Sequence, residues 1–134
     1  MYSPLKNTGV SEMKIPFAES QVMHALWRRA PLSRDEIIAE VGPANGWAPG
    51  TVKTLITRLL RKKAIKAGKE EAGYVYRPVI ARADYVHAES KSLLNNLFDG
   101  RISPMVAHFS EHEALSAEDL AELKALIARI ETNG

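Results

Sequence analysis

Residues 46–63 read G-W-A-P-G-T-V-K-T-L-I-T-R-L-L-R-K-K, and the other segments make sense as support for this stretch. Pro49 stands where a first helical turn tolerates proline, because the missing N–H would have no intrahelical partner there. Val52, Leu55, Ile56 and Leu59 then follow at i, i+3, i+4 and i+7, which makes one apolar face of a helix. The opposite face carries Lys53, Thr54, Thr57 and Arg61, with Thr51 and Arg58 on its flanks. The stretch ends in the cations Arg61, Lys62 and Lys63. Threonine is a middling helix former, so three of them on one wet face argue against an ordinary solvated helix. An amphipathic helix of this kind packs on a small core and still reaches base edges and phosphates of DNA.

The segments before it predict two supporting helices. Ala18, Val22, Ala25 and Leu26 form a stripe with Met23 and Trp27 beside it, and Pro31 helps to stop that helix after Arg29. Ser33 with Glu36 three residues later spells a capping box for a second helix. Its apolar side is Ile37, Ile38 and Val41, and Gly42-Pro43 is expected to end it. Residues 44–47 then form the connection into the third helix, a turn longer than the tightest helix-turn-helix form. After the third helix come two alternating segments around the tip Glu70-Glu71-Ala72-Gly73, which predict a β-hairpin. Tyr74 and Tyr76 should point one way and Val75 the other, with Lys66, Lys69 and Arg77 along a phosphate-facing edge. Helix, helix, helix, hairpin is the order of a winged helix.

Beyond residue 80 the composition changes. Residues 1–80 carry a balance of +6 and residues 81–134 a balance of −4, within a net charge of +2. A basic half joined to an acidic half points to one part facing a polyanion and another part doing something else. Tyr85, Ala88, Ser92 and Asn95 fall on one line of a helix, and Leu93, Leu94, Leu97 and Phe98 cluster before an Asp99-Gly100 stop. Ser103-Pro104 opens a short helix with Met105, Val106 and Phe109 apolar. Ser116 with Asp119 caps a last helix, striped by Leu120, Leu123, Leu126, Ile127 and Ile130. So lean a set of helices makes a poor core alone, so pairing with a second copy is expected. The lesser alternative is that they fold back on the same chain.

The expected organisation is therefore a mainly α chain. A mobile tail over 1–13 leads into a winged helix-turn-helix of three helices and a hairpin wing over 14–80, then a helical dimerisation region over 81–134. Among 134 residues there is no cysteine, which excludes disulfides, cysteine zinc sites and thiol redox chemistry. No window approaches the roughly 18 consecutive apolar residues of a membrane-spanning helix, and residues 1–13 lack the apolar stretch of a secretory signal. The expected compartment is the cytoplasm, with no direct membrane insertion.

On these residues the chain resembles the BlaI/MecI/CopY penicillinase-repressor family of winged-helix regulators. The resemblance rests on E-S-Q-V-M-H-A-L-W (19–27), L-S-R-D-E-I (32–37), T-V-K-T-L-I-T-R-L (51–59) and Y-V-Y-R-P (74–78). L-F-D-G (97–100) and E-D-L-A-E-L (118–123) extend it towards the C-terminus. It implies a homodimeric repressor, paired through its C-terminal helices on a palindromic operator in double-stranded DNA. It also implies that Thr51, Lys53 and Thr54 approach base edges and phosphates, with Thr57 and Arg58 contacting the backbone. Arg61 and Lys62 join them as phosphate contacts on the strength of their charge. The family position of Gly50 often holds a longer polar side chain, so one contact is missing here. Relatives are switched by a membrane-bound sensor peptidase that cleaves an Asn–Phe bond in the short helix. The pair here is His108-Phe109, which keeps the aromatic residue and not the asparagine. The cysteine-rich switch of copper-responsive members has no counterpart in this chain.

Other constellations point elsewhere. His108-Phe109-Ser110-Glu111-His112 spells H-x-x-E-H, an inverted zinc-protease motif. A catalytic zinc needs three protein ligands and an open position, and no cleft-forming sheet is expected nearby, so no enzyme is expected. A regulatory metal at His108 and His112 is a lesser alternative to plain surface or dimer-facing histidines, and no cofactor is expected. A winged-helix protein-interaction module without DNA binding is the competing class.

Overall fold

The computed structural model describes residues 13–113 and 115–133. The expected tail therefore lies, except for Met13, outside the described residues. Helix α1 (Phe17–Arg28) is followed by a two-residue strand β1 (Leu32–Ser33), then α2 (Arg34–Asn45) and α3 (Pro49–Arg61). Strands β2 (Ile65–Glu70) and β3 (Gly73–Pro78) follow, and then α4 (Arg82–Leu97), α5 (Ile102–His112) and α6 (Ala117–Asn133). The chain divides into two compact units, one running to Glu89 and the other from Ser90 onward, so the division falls within α4.

The first unit is a winged helix. Val22, Met23, Ala25 and Leu26 of α1, Ile37 and Val41 of α2, and Val52, Leu55, Ile56 and Leu59 of α3 are all buried in one cluster. Burial of a side chain of this size contributes about 1.5–3 kcal/mol each, so the three helices are held by their apolar stripes. Ser33 caps α2 as expected: its hydroxyl accepts from the Glu36 N–H at 3.1 Å, and the Glu36 carboxylate accepts from the Ser33 N–H at 2.8 Å. The Ser33 backbone N–H first, and then its side-chain hydroxyl, hydrogen-bond the Glu36 carboxyl and hold it below its ordinary pKa.

Two local expectations need correction. Helix α2 does not end at Gly42-Pro43 but runs through Pro43 to Asn45. It ends where Gly46 takes a left-handed φ of 71°, with Trp47 N–H donating to Gly42 O at 2.9 Å and Gly46 N–H to Pro43 O at 3.3 Å. Proline forfeits one hydrogen bond in the last turns, whereas the left-handed residue stops the helix. The turn into α3 is correspondingly short, three residues from Gly46 to Ala48. The hairpin is also part of a three-stranded antiparallel sheet, in order β1-β3-β2, because Leu32 pairs with Tyr76 and Ser33 with Val75.

Tyr85 and Ala88 of α4 pack against this first core rather than marking the start of a separate region after residue 80. The Tyr85 ring lies 5.3 Å from Trp27 and 6.3 Å from His24, centroid to centroid. Trp27 in turn donates its indole N–H to Ile80 O at 3.0 Å.

In the second unit no described residue of α5 or α6 is buried. The α4 helix stops at Asp99 and Gly100, both at positive φ, with Gly100 N–H donating to Leu94 O at 2.8 Å. Ser116 caps α6 by accepting from the Asp119 N–H at 2.9 Å. Leu97 (68% exposed) and Ile130 (61%) leave large apolar side chains in solvent, as do Leu93, Phe109, Leu120, Leu126 and Ile127. None of the described helices is long and apolar enough to cross a membrane.

Candidate nucleic-acid interface

The exposed side of α3 is built by its buried side. With Val52, Leu55, Ile56 and Leu59 fixed in the core, the helical period leaves Thr51, Lys53, Thr54, Thr57, Arg58 and Arg61 exposed together. No acidic residue occurs anywhere in α3. The positive end of the helix dipole at the start of α3 adds to the attraction for phosphate. Thr54 and Thr57 donate their hydroxyls to the carbonyls of Gly50 (3.1 Å) and Lys53 (3.0 Å), one turn back. Each hydroxyl oxygen still accepts, and each threonine also has a methyl group of the kind that contacts a thymine methyl. Gly50 is exposed and a Cβ there would meet nothing within 4 Å, so a longer side chain has room at the position where this chain carries none.

Lys62 sits differently from its neighbours. Its ammonium donates to the carboxylate of Glu19 and to the carbonyl of Lys14, the latter at 2.6 Å. Glu19 is buried on α1, so Lys62 ties the end of α3 to the start of α1 and its charge is already matched. It belongs with the scaffold rather than with the free cations. The sequence holds one clue: Glu19 precedes Val22, Met23 and Leu26 at helical spacing, which puts a carboxylate on an apolar face where it needs a partner.

The wing's cations do not share one edge. Lys66 pairs with Arg77 and Lys69 with Tyr74. Because side chains alternate along a strand, Lys66 and Arg77 lie on one face and Lys69 on the other, with Tyr74 and Tyr76. Arg77 also forms an ion pair with Glu70 at 3.0 Å, whereas Lys66 and Lys69 form no ion pair among the described residues. Lys63, at φ 64°, turns the chain from α3 into β2, and Val79 N–H donates to Ala64 O at 2.8 Å to close the hairpin's base.

His24 borders the aromatic cluster of Trp27 and Tyr85. Its pKa is lowered from 6.5, first by burial and then by the charges of Arg28 and Arg82. Burial, reinforced by Glu89, raises the Tyr85 phenol, against a hydrogen bond from Ser20. Tyr85, an expected dimer residue, packs within its own chain against Trp27. Among the described residues no group of three or more His, Asp or Glu side chains is placed to hold a metal. His108 and His112 lie exposed on α5, with Phe109 beside them.

Known proteins resemble this chain over most of its length. The family model for the penicillinase repressor matches residues 15–129. The chain is 34% identical over 114 residues to a penicillinase repressor of Bacillus licheniformis, which covers 85% of this chain and 89% of that protein. It is 32% identical to the methicillin resistance regulatory protein MecI of Staphylococcus aureus, over 85% of this chain and 93% of the relative. The oxidised form of MarR from E. coli superposes with a TM-score of 0.50 at 17% identity, over 94% of this chain and 82% of that one, which supports the winged-helix fold alone. On the family match and the identity to full-length relatives, the chain belongs to the penicillinase repressor family of winged-helix, DNA-binding transcriptional repressors, and it is not an enzyme.

Proposed function

We propose that the protein represses transcription as a homodimer on a palindromic operator, read by the exposed face of α3 and gripped by the wing. The observation that carries this is the acid-free face of Thr51, Lys53, Thr54, Thr57, Arg58 and Arg61. Lys53 and Thr54 are the base-reading residues, with Thr51 beside them. Thr57, Arg58, Arg61, Lys66 and Lys69 contact phosphates. Arg77 contributes less, because Glu70 already pairs with it.

The second copy is supported by the exposed apolar residues of the C-terminal unit. Leu93, Leu97, Phe109, Leu120, Leu126, Ile127 and Ile130 are too many large side chains for a free surface. Together with Leu94, Phe98, Met105 and Leu123 they form the dimer face. Release follows a signal-dependent event in this region. By analogy with relatives, that event is cleavage of the exposed His108-Phe109 bond by a membrane-bound sensor peptidase. The protein itself acts in the cytoplasm and needs no cofactor to bind its operator.

Footprinting on the promoter upstream of the protein's own gene tests this. Two protected half-sites of inverted sequence, spaced by about 10 base pairs or a small multiple, are expected. Uniform protection without half-sites would overturn it.

A further inference from the structure

His108 and His112 stand one turn apart on α5, and both are exposed. Their rings stack, with centroids 4.4 Å apart and planes inclined by 26°. His112 Nδ1 lies 2.9 Å from the carbonyl oxygen of His108. A carbonyl only accepts, so Nδ1 carries the proton and donates, and the lone pair of His112 is left on Nε2. A backbone carbonyl that holds one imidazole nitrogen in this way fixes the tautomer and leaves the other nitrogen ready to ligate.

From this geometry we propose that His108 and His112 form a two-imidazole clip for a borderline divalent transition-metal ion such as Zn²⁺. Imidazole nitrogens bind such ions at about 2.0–2.1 Å, which a small rotation of two stacked rings on one helical face provides. The described residues bring no third side-chain ligand to the pair. The ion is therefore held by two protein nitrogens and completed by water, unlike the closed set of a structural zinc or the three-ligand set of a catalytic one. Glu111 and Glu113, adjacent in sequence, make the surroundings acidic and favour a cation.

The clip has a consequence for the chain. It spans the helical turn that contains the His108-Phe109 bond, and a protease needs that turn open and extended. An ion that binds only the helical form lowers the open population by a factor of 1 + [ion]/Kd, about elevenfold at ten times Kd. Metal binding and resistance of the whole turn to proteolysis, at His108-Phe109 and at the neighbouring Phe109-Ser110 bond, are thus one property. This inference does not depend on DNA binding or on any particular peptidase.

The test titrates the full chain with ZnCl₂ by calorimetry and follows chymotrypsin nicking after Phe109 by mass spectrometry. One equivalent per chain, with a Kd below about 100 μM, and nicking slowed about tenfold near saturation are expected. His112→Gln should weaken binding at least tenfold and remove the protection. A variant lacking the other two histidines, His24→Gln with His87→Gln, should keep both. Because His112 is exposed, circular dichroism of His112→Gln should match wild type. A Kd above about 1 mM, unchanged zinc affinity in His112→Gln, or nicking indifferent to zinc would overturn the proposal.

Discussion

The ammonium of Lys62, at the end of α3, is shared between the buried carboxylate of Glu19 and the backbone carbonyl of Lys14. It fastens α3 to the entry of α1, beside a core that is otherwise apolar apart from Ser20. Lys62→Met would strand the Glu19 carboxylate, whose side chain is 4% exposed. With the lysine itself 30% exposed, the expected loss is about 2–4 kcal/mol, somewhat below that of a fully buried pair. Glu19→Leu combined with Lys62→Met should recover most of that loss. Urea unfolding of the three proteins measures it. A Lys62→Met protein as stable as wild type would show that the pair holds nothing.

Stability should also fall as pH is lowered through the histidine range, in part because of His24. Its folded pKa lies below the ordinary 6.5, from burial first and then from Arg28 and Arg82. Between the two values the unfolded chain binds a proton that the folded chain refuses, so folding weakens as pH drops through 6.5 towards the lower value. The full contribution is present above about pH 7. Denaturation midpoints of wild type and His24→Gln, compared from pH 7.5 to 5.5, should converge or cross as the pH falls. Parallel curves would mean that His24 titrates alike in both states.

A charge in the apolar face of the C-terminal unit should separate the dimer without unfolding the protomer. Leu97 and Ile127 are exposed in the single chain, so Leu97→Glu or Ile127→Glu costs little before association. Each should raise the dimer dissociation constant roughly 100-fold, about 2.7 kcal/mol, by sedimentation velocity. A wild-type protein monomeric at all accessible concentrations would refute the dimer.

For the wing, the strand register predicts unequal cations. Lys66→Ala and Lys69→Ala should each weaken binding to all sequences and reduce the salt slope by about 1. Arg77→Ala should do less, because the Arg77 guanidinium is held by Glu70 and turned to it instead of to a phosphate. Equal slopes for the three variants would mean that DNA draws Arg77 out of that pair.

The parts of the fold legible in the sequence were those set by neighbours along the chain. The stripe Val52-Leu55-Ile56-Leu59, the capping box of Ser33 and Glu36, and the hairpin around residues 70–73 are all local patterns. What escaped was set across distance or by one backbone angle. Strand β1 has two residues and exists only because β3 lies beside it. Pro43 looked like a stop, but the left-handed Gly46 three residues later sets the end of α2. Lys62 read as one more cation in a basic run, since its partner lies 43 residues away. Tyr85 read as part of a separate helix because its neighbours Trp27 and His24 are distant in sequence. Which residues α3 exposes is readable because burial of one side of the helix dictates what the other side shows.

The central claim is that this exposed face of α3 reads sequence, and fluorescence anisotropy on the promoter DNA with scrambled DNA as control tests it directly. Wild type should prefer the promoter and lose affinity with added salt. Lys53→Ala and Thr54→Ala should each lose about 1–3 kcal/mol on the promoter and narrow the preference over scrambled DNA. If both variants bind the promoter as well as wild type, or if wild type binds the two DNAs equally, the reading face is not where the structure presents it.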